Sequence, residues 1–212
     1  MGISGKIFTY IKHFLSSRTM QVRVGNTLSG THMYTIENGT PQGSIISPIL
    51  FLVMINDLPA SITKTEATLF ADDSCLFTSG KNLSYIVHKM QDSLNKLVQW
   101  CDFNGFKISM NKTVAVLFTR RRDRIDNILK INGESVKVEN KAKFLGIIFD
   151  SKLSWNDHVN YIVDKCKKRL NLLRAISGNK WGANKKTLLM IYRSLIRSII
   201  DYGAVALDYE RA

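Results

Sequence analysis

Two adjacent carboxylates, Asp72 and Asp73, interrupt a run that otherwise reads as two apolar strand-forming segments, Thr68-Leu69-Phe70-Ala71 and Ser74-Cys75-Leu76-Phe77. The pattern predicts a β-hairpin with acid at its tip, its flanks Leu69, Phe70, Cys75, Leu76 and Phe77 forming buried strands that hold both carboxylates on rigid backbone. Neighbouring like charges repel. A hard divalent cation relieves that repulsion, because Mg²⁺ takes oxygen ligands and is commonly held by one or two carboxylates together with substrate phosphates. An ordinary polar turn also fits, since Asp is a frequent turn residue.

A second stretch, Glu37-Asn38-Gly39-Thr40-Pro41-Gln42-Gly43-Ser44-Ile45-Ile46-Ser47-Pro48-Ile49-Leu50-Phe51, lies upstream. Proline fixes φ and glycine tolerates conformations closed to other residues, so Pro41-Gln42-Gly43 is a loop. Ser47-Pro48 reads as an N-cap with proline at the first helical position of a helix running to about Leu58-Pro59. Gly-Thr-Pro-Gln-Gly-Ser-x-x-Ser-Pro-x-Leu-Phe followed by Phe-Ala-Asp-Asp resembles the palm of reverse transcriptases, in particular those of non-LTR, jockey-like retrotransposons. Asn111-Lys112-Thr113 and Phe144-Leu145-Gly146-Ile147-Ile148-Phe149-Asp150 follow in the order of that family's later motifs.

The resemblance covers essentially the whole chain. It implies an α+β fold, a partial right-hand polymerase palm of antiparallel sheet and packed helices over residues 1–150, then a basic helical thumb-like region over 151–212. The implied reaction is metal-dependent nucleotidyl transfer onto a primer 3′ end. Asp72 and Asp73 are then catalytic ligands of Mg²⁺ or Mn²⁺, and Pro41, Gln42, Gly43, Phe70 and Ala71 border nucleotide and template. Lys112 falls where polymerases carry a lysine near the departing pyrophosphate, although a surface lysine in a turn fits its context equally. The hairpin around Phe144 to Phe149 corresponds to the primer grip. The implied partners are RNA template, DNA primer and deoxynucleoside triphosphates; the oligomeric state is open.

The 212 residues suffice for one large domain, and the formal net charge of +13 is unevenly spread. Met1 to Trp100 holds 8 Lys/Arg against 6 Asp/Glu, whereas Cys101 to Ala212 holds 22 against 11. A basic field of this kind favours polyanions, nucleic acid above all, and a solvated basic face is the plain alternative. The candidate nucleic-acid contacts are Arg120, Arg121 and Arg122 in a basic loop, and Lys167, Lys168, Arg193 and Arg197 in the C-terminal helices. Cys75, Cys101 and Cys166 are far apart and read as reduced thiols. The histidines lack paired ligand spacing, so no zinc is expected. Neither a secretory signal nor an apolar run long enough to span a bilayer is visible, which places the chain inside the cell, in nucleus or cytoplasm, away from membranes.

The remaining elements follow from periodicity. Ile3, Ile7, Tyr10, Ile11, Phe14 and Leu15 recur at helical spacing in an uncapped helix ending near Ser16. Met20 to Val24 and Met33 to Ile36 alternate as strands. Asn82 to Asn104 carries the stripe Ile86, Val87, Met90, Leu94, Leu97, Val98 and Cys101, with Gly105 as its stop. Val114 to Phe118 is a strand, Asn132-Gly133 centres a hairpin, and Phe144 to Phe149 is a strand turning at Asp150-Ser151. From Asp157 a helix shows the apolar face Val159, Ile162, Val163, Cys166, Leu170 and Leu173. Lys185 to Tyr202 forms another, with Leu188, Leu189, Ile191, Tyr192, Leu195 and Ile199.

Two-metal phosphoryl transfer needs a further carboxylate on a separate strand. The family's lies upstream of the first helix, and Met1 to Ile36 contains no Asp or Glu. The expectation is a fragment, or a decayed copy, inactive as an isolated chain, with a noncatalytic nucleic-acid-binding remnant as the alternative.

Overall fold

The computed structural model describes residues 4–29, 33–121, 128–178 and 181–204. The chain divides into two units, Met1–Leu58 and Pro59–Ala212. Among the described residues, helices and six small two-stranded sheets make an α+β fold.

In the first unit, α1 (Gly5–Leu15) opens at Ser4 without a side-chain cap, as its sequence predicts. The expected strand Met20 to Val24 is split. β1 (Arg18–Met20) pairs antiparallel with β4 (Tyr34–Ile36), and β2 (Arg23–Val24) pairs with β3 (Thr27–Leu28) beyond it. The Arg18 guanidinium donates to the carbonyls of Leu15 (3.1 Å), Asn38 (3.2 Å) and Gly39 (2.7 Å), tying the end of α1 to the glycine-rich segment. α2 (Ser47–Ile55) starts one residue earlier than the N-cap reading requires: Ile46 is the N-cap, and Ser47 donates its hydroxyl to the Pro41 carbonyl at 2.7 Å. Ser47 fastens the loop instead of capping the helix.

The division between the units falls inside the short α3 (Leu58–Ser61). In the second unit, β5 (Glu66–Phe70) and β6 (Asp73–Phe77) form the expected hairpin. Its flanks are not buried: Phe70 is 64% and Phe77 45% exposed, and Leu69, Cys75 and Leu76 are half-buried. Among the described residues these two strands pair only with each other, so both outer edges of the ribbon are open, and the face that carries Phe70 and Phe77 stands largely in solvent. The base of the hairpin is anchored, because Lys64 pairs with Asp92 and Lys96 donates to Thr63.

α4 (Leu83–Asn104) is delimited as its sequence predicts. Asn82 accepts from the Tyr85 N–H at 3.2 Å, and Gly105 ends the helix at φ 74°. Leu94, Leu97 and Cys101 of its stripe are buried. The hairpin β8 (Lys130–Ile131) and β9 (Glu134–Ser135) turns at Asn132 (φ 51°) and Gly133 (φ 81°), and Leu129, Ile131 and Val136 are buried around it. Gln91 of α4 reads the Lys130 backbone as a strand would, donating to its carbonyl and accepting from its N–H, both at 2.8 Å.

The strand expected over Val114 to Phe118 shrinks to β7 (Val114–Ala115), because its parallel partner β10 (Lys137–Val138) offers only two residues. The run Phe144 to Phe149 is not one strand. β11 (Lys141–Phe144) and β12 (Ile147–Asp150) pair antiparallel about a turn at Leu145 (φ 46°) and Gly146 (φ 83°).

α5 (Asn156–Ala175) packs on β12, and its inward row is Trp155, His158, Ile162, Cys166 and Leu173. Val159, Val163 and Leu170 of the expected face are 43%, 41% and 37% exposed, since the helix is rotated to bury His158. The last helix is composite: α6 (Lys185–Tyr192), a π turn (Arg193–Arg197) and α7 (Ser198–Asp201). The extra residue of the wide turn shifts the register, which buries Ile196, absent from the periodic reading.

Candidate active-site hairpin and basic surface

Pairing of Phe70 with Asp73 leaves Ala71-Asp72 as a two-residue turn, so one carboxylate occupies the turn and the other the first position of β6. Cross-strand partners share a face. Asp73 therefore stands on the side of Phe70, Thr68 and Cys75, while Leu69 and Ala67 project from the other. Ala71 takes φ 51°, a left-handed conformation costly for a residue with a Cβ. Both carboxylates are exposed, and neither has a hydrogen bond or ion pair among the described residues. Adjacent oxygen donors without a cationic neighbour fit a hard divalent ion. No three His, Cys, Asp or Glu side chains gather as a ligand group among the described residues, so the pair fits as part of such a site and leaves coordination for other oxygens.

In the first unit, Pro41, Gln42 and Gly43 line a shallow depression of about 400 Å³ with Thr40, Ser44, Ser47, Pro48 and Phe51. Gly43 has φ 88°, and nothing lies within 4 Å of where its Cβ would stand. The backbone conformation, not a crowded neighbour, requires glycine there, and the depression keeps its floor open.

Lys112 is exposed in a separate turn in which its N–H and that of Thr113 both donate to the Ser109 carbonyl at 3.1 Å. Arg120 and Arg121 are exposed, and Arg122 lies outside the described residues. Lys167 and Lys168 are exposed on α5. Arg193 and Arg197 bound the π turn, and Arg197 donates to Asp201 at 3.1 Å.

The structure also singles out groups that motif reading passes over. Asp150 accepts from the N–H groups of Lys152 (3.1 Å), Ser154 (3.1 Å) and Trp155 (3.0 Å), capping the approach to α5 from five residues before the N-cap position. Partial burial works to raise its carboxyl, but the N–H donors of Ser154, Trp155 and Lys152 outweigh it and hold the group below the usual range. His158, 2% exposed, accepts from the Ile148 N–H at 3.3 Å, and burial pushes its imidazole below the ordinary value of 6.5. Tyr161 carries Lys143 at 2.9 Å from its hydroxyl, and hydrogen bonds from Lys143 and then Lys165 lower the phenol. The tip of the β11–β12 hairpin is held by Tyr202, whose hydroxyl donates to Leu145 at 2.7 Å. The sequence carries one trace of this arrangement, the spacing of Asp157, Tyr161 and Lys165 at every fourth residue.

Residues 1–149 match the family described as reverse transcriptase (RNA-dependent DNA polymerase). The chain is 25% identical over 205 residues to the RNA-directed DNA polymerase from mobile element jockey of Drosophila melanogaster, an alignment covering 93% of this chain and 22% of that protein. It is 27% identical over 201 residues to the probable RNA-directed DNA polymerase from transposon BS of the same species, with 91% and 22% covered. Over 175 residues it is 26% identical to a retrovirus-related Pol polyprotein from type-1 retrotransposable element R1 of Nasonia vitripennis, covering 78% and 51%. The chain thus spans about a fifth of the length of the first two relatives. No solved structure matches it. The match takes in the glycine-rich loop, the acidic hairpin and the Leu145-Gly146 turn together, and on it the chain belongs to the reverse transcriptase family, as a homologue of the RNA-directed DNA polymerases of non-LTR mobile elements.

Proposed function

We propose that the chain supplies part of the palm and thumb of an RNA-directed DNA polymerase, with the palm contribution over residues 1–150 and the thumb over 151–212. The observation that carries this reading is the pair of exposed, unengaged carboxylates at the Ala71-Asp72 turn, following a glycine-rich loop in the order of the family. Members of the family use divalent metal ions, and here Asp72 and Asp73 would hold Mg²⁺ or Mn²⁺. When bound, the ion supplies charge neutralisation at the triphosphate and a lowered pKa for the attacking 3′ hydroxyl. Ala71 and Phe70 set the direction in which the carboxylates leave the hairpin. Pro41, Gln42 and Gly43 offer an open backbone surface to nucleotide and template. Lys112 is the candidate cation for the leaving pyrophosphate.

Arg120, Arg121, Arg122, Lys167, Lys168, Arg193 and Arg197 are the candidate contacts to template RNA and primer DNA. A second reading, a noncatalytic nucleic-acid-binding remnant, is favoured by the absence of a third acidic ligand beside the pair among the described residues. The experiment is primer extension on an RNA template by this chain fused to the upstream part of a related polymerase. Extension that is lost with Asp72→Asn supports the catalytic reading; extension untouched by Asp72→Asn removes the role given to the hairpin.

A further inference from the structure

Strand β11 returns to the same side every two residues, about 6.6 Å, and helix α5 repeats a ridge every four residues, about 6 Å. The two spacings run in step. Lys141 meets Asp157 at 3.1 Å, an ion pair that closes on itself. One rung along, Lys143 meets not a carboxylate but Tyr161, with its ammonium 2.9 Å from the hydroxyl and 4.7 Å from the ring centroid. From the next turn of the helix the Lys165 ammonium reaches the same ring, 4.9 Å from its centroid. Neither Lys143 nor Lys165 pairs with a carboxylate among the described residues. Two cations are therefore brought onto one ring with no anion between them, where a ring face and one phenol oxygen only partly offset their repulsion.

We propose that Lys143 and Lys165, placed by Tyr161, form a clamp for a single phosphodiester of a nucleic-acid backbone. A phosphate offers two charged oxygens to two separate ammonium groups, which a lone hydroxyl or amide does not. The ridge explains why the anion belongs to a polymer. At about 100° per residue, Lys168 and Arg169 fall within roughly 60° of Lys165 around the helix, whereas Lys167 falls about 160° away. Cations thus continue along the ridge past the clamp, as a regularly charged strand requires. The proposal rests on the polymerase reading above and assigns one contact within it.

The test measures fluorescence anisotropy of a labelled RNA–DNA hybrid with the purified chain between 50 and 200 mM salt. Lys143→Gln/Lys165→Gln should reduce the magnitude of the log–log salt slope by about 0.9, the value for one phosphate contact. Each single variant should give most of that loss, because both cations serve the same phosphate. Lys143→Arg/Lys165→Arg should retain the slope. Lys89→Gln, which removes a lysine standing over Tyr85 alone at 5.7 Å, controls for the change in net charge and should leave it unaltered. Melting followed by circular dichroism verifies that each variant is folded. A double variant with the unaltered slope overturns the clamp, as does a double variant that loses about twice 0.9, the value for two separate phosphates. Deoxynucleoside triphosphate binding that needs these lysines when hybrid binding does not overturns the backbone assignment. If the unaltered chain shows no salt-dependent binding of hybrid, the nucleic-acid reading of the whole basic surface fails, a result distinct from failure of the clamp alone.

Discussion

At the acidic turn, Ala71 is the residue with most to lose from its position. A left-handed conformation costs an L-residue about 1–2 kcal/mol, and glycine would escape that while adding about 0.4–1 kcal/mol of backbone entropy to the unfolded chain. Ala71→Gly should therefore stabilise the chain by roughly 0.5–1 kcal/mol in urea unfolding, the difference between those two effects. A loss of stability would show that the turn is relaxed with alanine in place. Sequence makes some residues of this kind legible and hides others. Asn132-Gly133 and Gly105 announce their left-handed conformations by residue type. Leu145 at φ 46° does not, because an apolar residue inside an apolar run reads as continuing strand. Asp150 is hidden for a different reason: a carboxylate after a strand signals a turn, but that it collects three N–H groups depends on the loop that follows it.

Between elements, the junction of β12 and α5 depends on a neutral imidazole. His158 accepts the Ile148 N–H through Nδ1 in a buried position, and its value is depressed in the fold. As pH falls, the unfolded chain takes up this proton first. The stabilisation is thus complete above the ordinary histidine value of 6.5 and is lost as pH drops from there through the lower folded value. Thermal melting between pH 8 and 5 should show the midpoint falling on the acid side. In His158→Asn, which keeps an acceptor near Nδ1 but does not titrate, this part of the decline should vanish; an identical decline would assign it to other groups. That α5 is a helix was legible here, and in α4 the Asn82 start and the Gly105 stop were legible too, because these signals are local. The face that each helix buries was less so. α5 rotates to seat His158, and the π turn advances Ile196 into the core, and both depend on neighbours far away in sequence.

For the molecule as a whole, the carboxylate count sets the expected activity. In-line transfer uses two ions roughly 3.5–4 Å apart, and two carboxylates on one turn cannot by themselves fix both. The chain alone, given primer, RNA template and Mg²⁺ or Mn²⁺, should bind hybrid yet add no nucleotides above background. Robust extension by the chain alone would show that Asp72 and Asp73 need no third acidic partner. Membership of the family was legible in four short motifs, since each records backbone conformation or charge that a local segment must supply. The exposure of the acidic hairpin was not, because burial of a strand is decided by what lies beside it.

Tyr202 reaches back 57 positions to hold the Leu145 carbonyl, and the Gly146 turn lies against its ring. That distance is also an interval of time. At about 5–20 residues per second a ribosome needs roughly 3–11 s to pass from one to the other. During that interval the emerging hairpin has its own β11–β12 ladder but lacks the hydrogen bond from Tyr202. The Leu145 carbonyl gains this partner only late in synthesis, and a nascent chain halted before Tyr202 would leave it to water.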